Sequence, residues 1–152
     1  MLLHFNHALV NKGGVVLCED GSVVNVSSSV FANNTAARGA GMMVQFDSTA
    51  YVSGNVTFFG NTGLMYGAAI YVLLGSALVM QSDHKGGVTI AHNYGAESGA
   101  VFGYLSSSIL CKGNISVESN QCAGYGAGIW ASDSCSVHLQ FTRLVDNHAG
   151  RL

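Results

Sequence analysis

Proline is missing from this 152-residue chain and charge is scarce, with six basic and eight acidic residues and a formal net charge of −2. Nucleic-acid binding needs a clustered basic face, so that class of partner is excluded. Long apolar runs are missing as well: the longest are a few residues broken by Gly and Ser, too short for a membrane-spanning helix. The first residues do not read as a charged, then apolar, then small-residue leader, so any targeting signal is expected to lie elsewhere in a longer chain. What is abundant argues for a folded chain. Residues are 49% apolar, far above a disordered composition. Twenty glycines without a proline suit neither a linker nor a helical bundle. The length fits one β-rich domain.

Internal repetition is the dominant signal. Taking Asn6, Asn33, Asn61, Asn93, Asn120 and Asn147 as anchors gives spacings of 27, 28, 32, 27 and 27 residues. Three residues before them stand Leu3, Val30, Phe58, Ile90, Val117 and Leu144, all apolar. A small column follows at Gly13, Ala40, Ala68, Ala100 and Ala127, then a large apolar one at Val15, Met42, Ile70, Phe102 and Ile129. The long spacing comes from an insertion over 81–87 (QSDHKGG), expected to bulge from a turn. Each unit holds three short runs with strand-like alternation and no helical window. The pattern predicts an all-β parallel β-helix of about five coils of about 27 residues, a stub ~24 Å long at the usual strand spacing.

In such a solenoid equivalent residues stack. The six anchor asparagines are expected to form a hydrogen-bonded ladder along the axis, since Asn also tolerates the left-handed corner conformation. Gly39, Gly67, Gly99 and Gly126 are expected to give the turns their backbone freedom, the first copy departing from this with Lys12.

Phe58-Phe59-Gly60-Asn61 followed by Gly67-Ala68-Ala69-Ile70, and Asn120-Gln121-Cys122 followed by Gly126-Ala127-Gly128-Ile129, resemble the repeat of polymorphic outer membrane proteins. That resemblance implies the right-handed parallel β-helix of the pectin-lyase-like fold. It also implies an extracellular or cell-surface, adhesin-type role, outer-membrane-associated in a bacterium. The second Gly of the pattern is Ala in most copies here, and residues 1–152 are not expected to include an outer-membrane barrel.

The repeat register is already running at Leu3 and Asn6 and stops soon after Ala149, so residues 1–152 are expected to be a single segment of a longer solenoid whose caps lie elsewhere. Cys18, Cys111, Cys122 and Cys135 show no metal-ligand spacing, and disulfide pairing and free buried thiols both remain open. Glycosylation sequons occur at Asn25, Asn33, Asn55 and Asn114, with Asn33 expected to be tied up in the ladder.

A catalytic reading needs convergent carboxylates. Asp20 and Asp47 share an offset of fourteen from their anchors, and stacked they would stand ~5 Å apart, as in a retaining glycosidase pair. Turn formation is the preferred reading of both aspartates, since Asp is a common turn former through its own local hydrogen bonding. The histidines do not converge, and Lys85, Lys112 and Arg143 are scattered, so no metal, cofactor or catalytic residue is expected. A better candidate is the outward side of the first strand, where Val16, Met43, Tyr71, Gly103 and Trp130 alternate with Cys18, Gln45, Leu73, Leu105 and Ser132. Exposed apolar stripes mark interfaces. Met43, Tyr71, Leu73, Leu105 and Trp130 are therefore the candidate binding residues. The expected function is a non-catalytic stalk or adhesion surface, partnered by the other coils of its parent chain and by host or cell-surface proteins or glycans. A fragment of a carbohydrate-active β-helix enzyme is the alternative.

Overall fold

The computed structural model describes residues 1–4, 6–8, 13–82 and 86–150, and every regular element among them is a β-strand. Lys12, His84 and Lys85 lie outside the described residues. All strand pairings are parallel and join each coil to the next, building a β-solenoid of about five turns with three strands per coil. A long sheet stacks Leu2–His4, Val23–Ala32, Thr49–Phe59, the pair Ala77–Gln81 and Val88–Ala91, Ser108–Glu118, and Ser136–Val145. A corner sheet stacks His7–Ala8, Thr35–Arg38, Thr62–Tyr66, Tyr94–Gly95, Gln121–Cys122 and His148–Ala149. The third sheet stacks Val16–Cys18, Met42–Val44, Ile70–Leu73, Val101–Tyr104 and Ile129–Ala131. No described helix exists, so none is long and apolar enough to cross a membrane.

Strict alternation makes the strands. In Thr49–Phe59 the side chains of Ala50, Val52, Val56 and Phe58 are buried while Tyr51, Ser53, Asn55 and Phe59 face water. Stacked coil on coil, these inward residues join Met42, Ile70 and Val101 of the third sheet in one core. Each such fully buried side chain contributes about 1.5–3 kcal/mol. Two apolar runs of the sequence fuse here into one long strand, bent where Ser28, Gly54, Gly113 and Phe141 adopt φ of 45°, 71°, 96° and 55°. The insertion opens at this bend, between Gln81 and Val88, rather than at a turn between strands. A bulged position already carries an unpaired residue, so extra chain can leave there without disturbing the ladder on either side.

The asparagine ladder exists, with one member corrected. It runs through Asn6, Asn34, Asn61, Asn93, Asn120 and Asn147, with Nδ2 to Oδ1 distances of 2.9, 2.9, 2.9, 2.9 and 2.8 Å. Each Oδ1 also accepts the backbone N–H of the preceding coil's asparagine. Each second Nδ2 proton goes to a carbonyl of the preceding coil, from Asn61 to Phe31 at 2.9 Å and from Asn120 to Ile90 at 2.9 Å. Two donors and two acceptor positions are thus all used, which only an amide can do. Asn33 is exposed and stands in the left-handed corner, φ 55°, in series with Gly60, His92, Ser119 and Asp146. The two roles that the sequence assigned to one asparagine are divided between neighbours. With Asn34 in the ladder, Phe31 rather than Val30 lies over Phe58, their rings stacked at 4.5 Å inside the core.

A second polar column was not anticipated. Ser48 Oγ accepts the Ser22 N–H at 3.1 Å and Ser76 Oγ the Ser48 N–H at 3.2 Å, and Cys135 Sγ fills the equivalent place against Ser107. The column follows a corner of left-handed residues, where backbone N–H groups turn away from the sheet and need a side-chain acceptor.

Candidate functional site

Outward from the third sheet, register decides what meets. Leu17, Met43, Tyr71, Phe102 and Trp130 form one column, and Leu73 pairs with Tyr104 beside it. Two sequence assignments shift by one residue. Val101, not Phe102, pairs with Ile70 and faces the core, and Val16, paired with Met42, packs against that core together with Val15, so Val16, Cys18 and Gly103 leave the outer face. Leu105 sits past the strand end in a left-handed corner, φ 51°, and Tyr104 takes the place expected for it. The cause is coil length: eight residues separate Asn93 from Val101, whereas nine separate Asn61 from Ile70.

The result is an aromatic stack along the solenoid axis. Tyr71 and Phe102 stack at 5.2 Å and Phe102 and Trp130 at 4.5 Å, while Tyr66 leans on Tyr71 and Phe102 at 6.0 and 5.5 Å. Tyr104 lies 5.8 Å from Phe102, and Tyr125 braces Trp130 at 5.5 Å. Glycines let the chain come up against this column. Gly67 and Gly126 have φ of 57° and 58°, and a Cβ on them would lie 2.9 Å from the Tyr71 Cβ and 2.6 Å from the Trp130 Cβ. Gly99 keeps an ordinary φ. It is glycine because the backbone of Ala127 passes directly against it.

Packing covers most of the stripe that was expected to face water. Met43, Tyr71 and Phe102 are 2%, 4% and 3% exposed, forming a cluster separate from the main core. Leu73 and Trp130 are half-buried. Between them opens a groove of about 560 Å³, closed at one end by Arg38 beside Tyr66 and at the other by Ser132 and Asp133. Burial pushes the Tyr71 phenol up to about 12, with the nearby Arg38 charge pulling the other way. Arg38, Tyr66, Phe102 and Tyr104 were not read from the sequence as groove residues, Phe102 having been assigned to the core. The aromatic recurrence at 66, 71, 102, 104, 125 and 130 was the available signal.

Residues 55–73 match the Chlamydia polymorphic membrane protein repeat. They run from the bend at Asn55 through Phe58, the ladder Asn61 and the Gly67 turn to Tyr71 and Leu73. The chain carries a Pmp-like β-helix repeat. No curated protein and no solved structure matches it.

The remaining candidates fall as follows. Asp20 and Asp47 do not share a column: the Gly21 N–H bonds to the Phe46 carbonyl and the Asp47 N–H to that of Leu74, which places Asp47 over Gly21 and Gly75. Both aspartates have left-handed φ, 58° and 56°. Cys18, Cys111 and Cys122 are buried thiols and Cys135 is half-exposed, all four unpaired. Burial raises the Cys18 and Cys122 thiols and pushes Cys111 up to about 12. The sequon asparagines Asn25, Asn33, Asn55 and Asn114 are all exposed, so the expected loss of Asn33 to the ladder does not occur.

Proposed function

We propose that the chain is a non-catalytic segment of an extracellular or cell-surface β-helix, outer-membrane-associated if bacterial, and that the aromatic groove of its third sheet is an adhesion surface. The single observation that carries this reading is the ring stack from Tyr71 through Phe102 to Trp130, which lies outside the main core and lines a groove open to solvent. The main core is already filled by aliphatic columns and by Phe31 and Phe58, so the fold needs no second aromatic cluster outside it. Aromatic side chains clustered at a surface supply large contact area at low entropic cost, the property that makes Tyr and Trp interface anchors. The parallel coils hold these rings on strands rather than on loops, so little ordering remains to be done on binding. Asp20 and Asp47 both stand at left-handed corner positions, φ 58° and 56°, which supports a turn-forming role for them over hydrolysis.

The test is binding of the whole chain to cell surfaces and to glycan and protein arrays, compared with Trp130→Ala and Tyr104→Ala in the groove and Tyr51→Ala on the long sheet. Loss of binding in the groove variants alone, at unchanged circular dichroism, supports the reading. Loss in Tyr51→Ala alone moves the adhesion surface to the other face.

A further inference from the structure

The groove is not simply apolar, and its polar ends say what fits. Arg38 Nε is buried with no hydrogen-bond partner, and no carboxylate among the described residues pairs with its guanidinium, which lies 5.8 Å from the Tyr66 ring centroid. A buried donor without an acceptor is costly, and a guanidinium presents a fork that matches a carboxylate in two parallel bonds. At the far end Asp133 and Ser132 offer an acceptor and a hydroxyl. Arg38 stands on the coil of Met42–Val44 and Asp133 on that of Ile129–Ala131, three coil spacings apart or ~14 Å along the axis.

The floor narrows the choice further. Tyr71, Phe102 and Trp130 spend their ring faces on one another, with interplanar angles of 11° and 14°. What remains for a ligand is ring edges, which carry positive potential and favour oxygen atoms over apolar groups. The hydroxyls of Tyr66, Tyr71 and Tyr104 make no hydrogen bond with the described residues. The third-sheet strand backbones flanking the groove, Ile70–Leu73 and Val101–Tyr104, are paired with neighbours on both sides, so no edge is free to add a peptide strand. A ligand here must bond through side-chain hydroxyls and charges alone.

Resting on the reading of this groove as the adhesion surface, we propose that its ligand is a short acidic oligosaccharide, whose carboxylate pairs with Arg38 and whose hydroxyls bond to the tyrosines, Ser132 and Asp133. An acidic sugar supplies an anion for the unpartnered cation and many hydroxyls for the unbonded phenols. A peptide of the same length would bring backbone N–H and C=O groups that nothing in the groove satisfies.

Trp130 is the sole tryptophan of the chain and lies in the groove, so its emission reports occupancy directly. Trigalacturonate, a hyaluronan tetrasaccharide and sialyllactose are titrated against the whole chain, beside methyl-esterified trigalacturonate, chitotetraose and lactose as neutral counterparts. The expected result is saturable change with at least one acidic probe, at least tenfold weaker with its neutral counterpart and weakened by salt. Arg38→Gln is expected to lower that affinity at least tenfold and Arg38→Lys to lose less. Equal binding of acidic and neutral probes, no binding of any acidic probe, or an affinity indifferent to Arg38→Gln would each overturn the assignment. If acidic peptides bind instead and Trp130→Ala abolishes it, the ligand class is wrong while the groove stands. If array binding persists in Trp130→Ala and Tyr104→Ala, the groove itself is wrong.

Discussion

Replacing Asn61 by alanine isolates the ladder. Its amide accepts from the Asn34 backbone N–H at 3.1 Å and from Asn34 Nδ2 at 2.9 Å, and donates to the Phe31 carbonyl at 2.9 Å and to Asn93 Oδ1 at 2.9 Å. Truncation leaves two donors with nothing in place of the amide, the Asn34 N–H and one Nδ2 proton of Asn34, while the Phe31 carbonyl loses one bond but stays paired in the strand ladder. Asn93 Oδ1 keeps the Asn61 backbone N–H. Each orphaned buried group costs about 1–3 kcal/mol, and a water entering the vacated polar space offsets part of that. The expected loss is about 2–5 kcal/mol, a large share of the ~5–15 kcal/mol that holds a domain together. Urea unfolding followed by circular dichroism measures it, with the midpoint falling and the slope unchanged. Asn34→Ala should also be costly, whereas Asn33→Ala, at an exposed corner, should change stability by less than about 1 kcal/mol. Asn61→Asp adds a pH signature. Its carboxylate would face two oxygen atoms in a buried site, which raises its folded pKa. The penalty is therefore smallest below the unfolded value of about 3.9, grows as pH rises from there, and is full above the raised pKa. If Asn61→Ala costs less than about 1 kcal/mol, or if Asn33→Ala costs as much as Asn34→Ala, the ladder argument is refuted.

Three further outcomes follow from burial. Ile70→Asp puts an unpaired carboxylate at a fully buried position and should unfold the coil stack, a cost of several kcal/mol visible as loss of native circular dichroism at neutral pH. Tyr71→Ser, placed on a water-facing column by sequence alone, should instead cost about 2 kcal/mol in a melting experiment, because Tyr71 is nearly buried in the ring stack. Alkylation of the native chain at pH 8 should label half-exposed Cys135 first. Cys111 should react only on unfolding, since burial leaves on the order of one thiol in ten thousand ionised there.

Repetition carried most of the fold into view, because columns of like residues survive any small error in alignment. The asparagine column and the inward Met42, Ile70 and Ile129 were legible for that reason. Single-residue differences in coil length were not. The pair Asn33-Asn34 offers two anchors that satisfy the same pattern, and only the spacing from Phe31, equal to that of Phe58 from Asn61, separates them. In a strand, a slip of one residue exchanges inside for outside, which is how Phe102 was lost from the outer face and Leu105 gained. The groove was half legible. Tyr71 and Trp130 lay in the right column, but Arg38 and Tyr66 end the short corner-sheet strands, which carry no periodic signal of their own.

The central claim is that this solenoid recognises a ligand rather than transforming one. It is tested most directly by incubating the chain with a polysaccharide panel and following released products by mass spectrometry alongside retention of the chain on each polymer. Retention without products, unaltered in Asp20→Asn and Asp47→Asn and reduced in Trp130→Ala, is the predicted result. Products that disappear in either aspartate variant would contradict it and make the chain an enzyme.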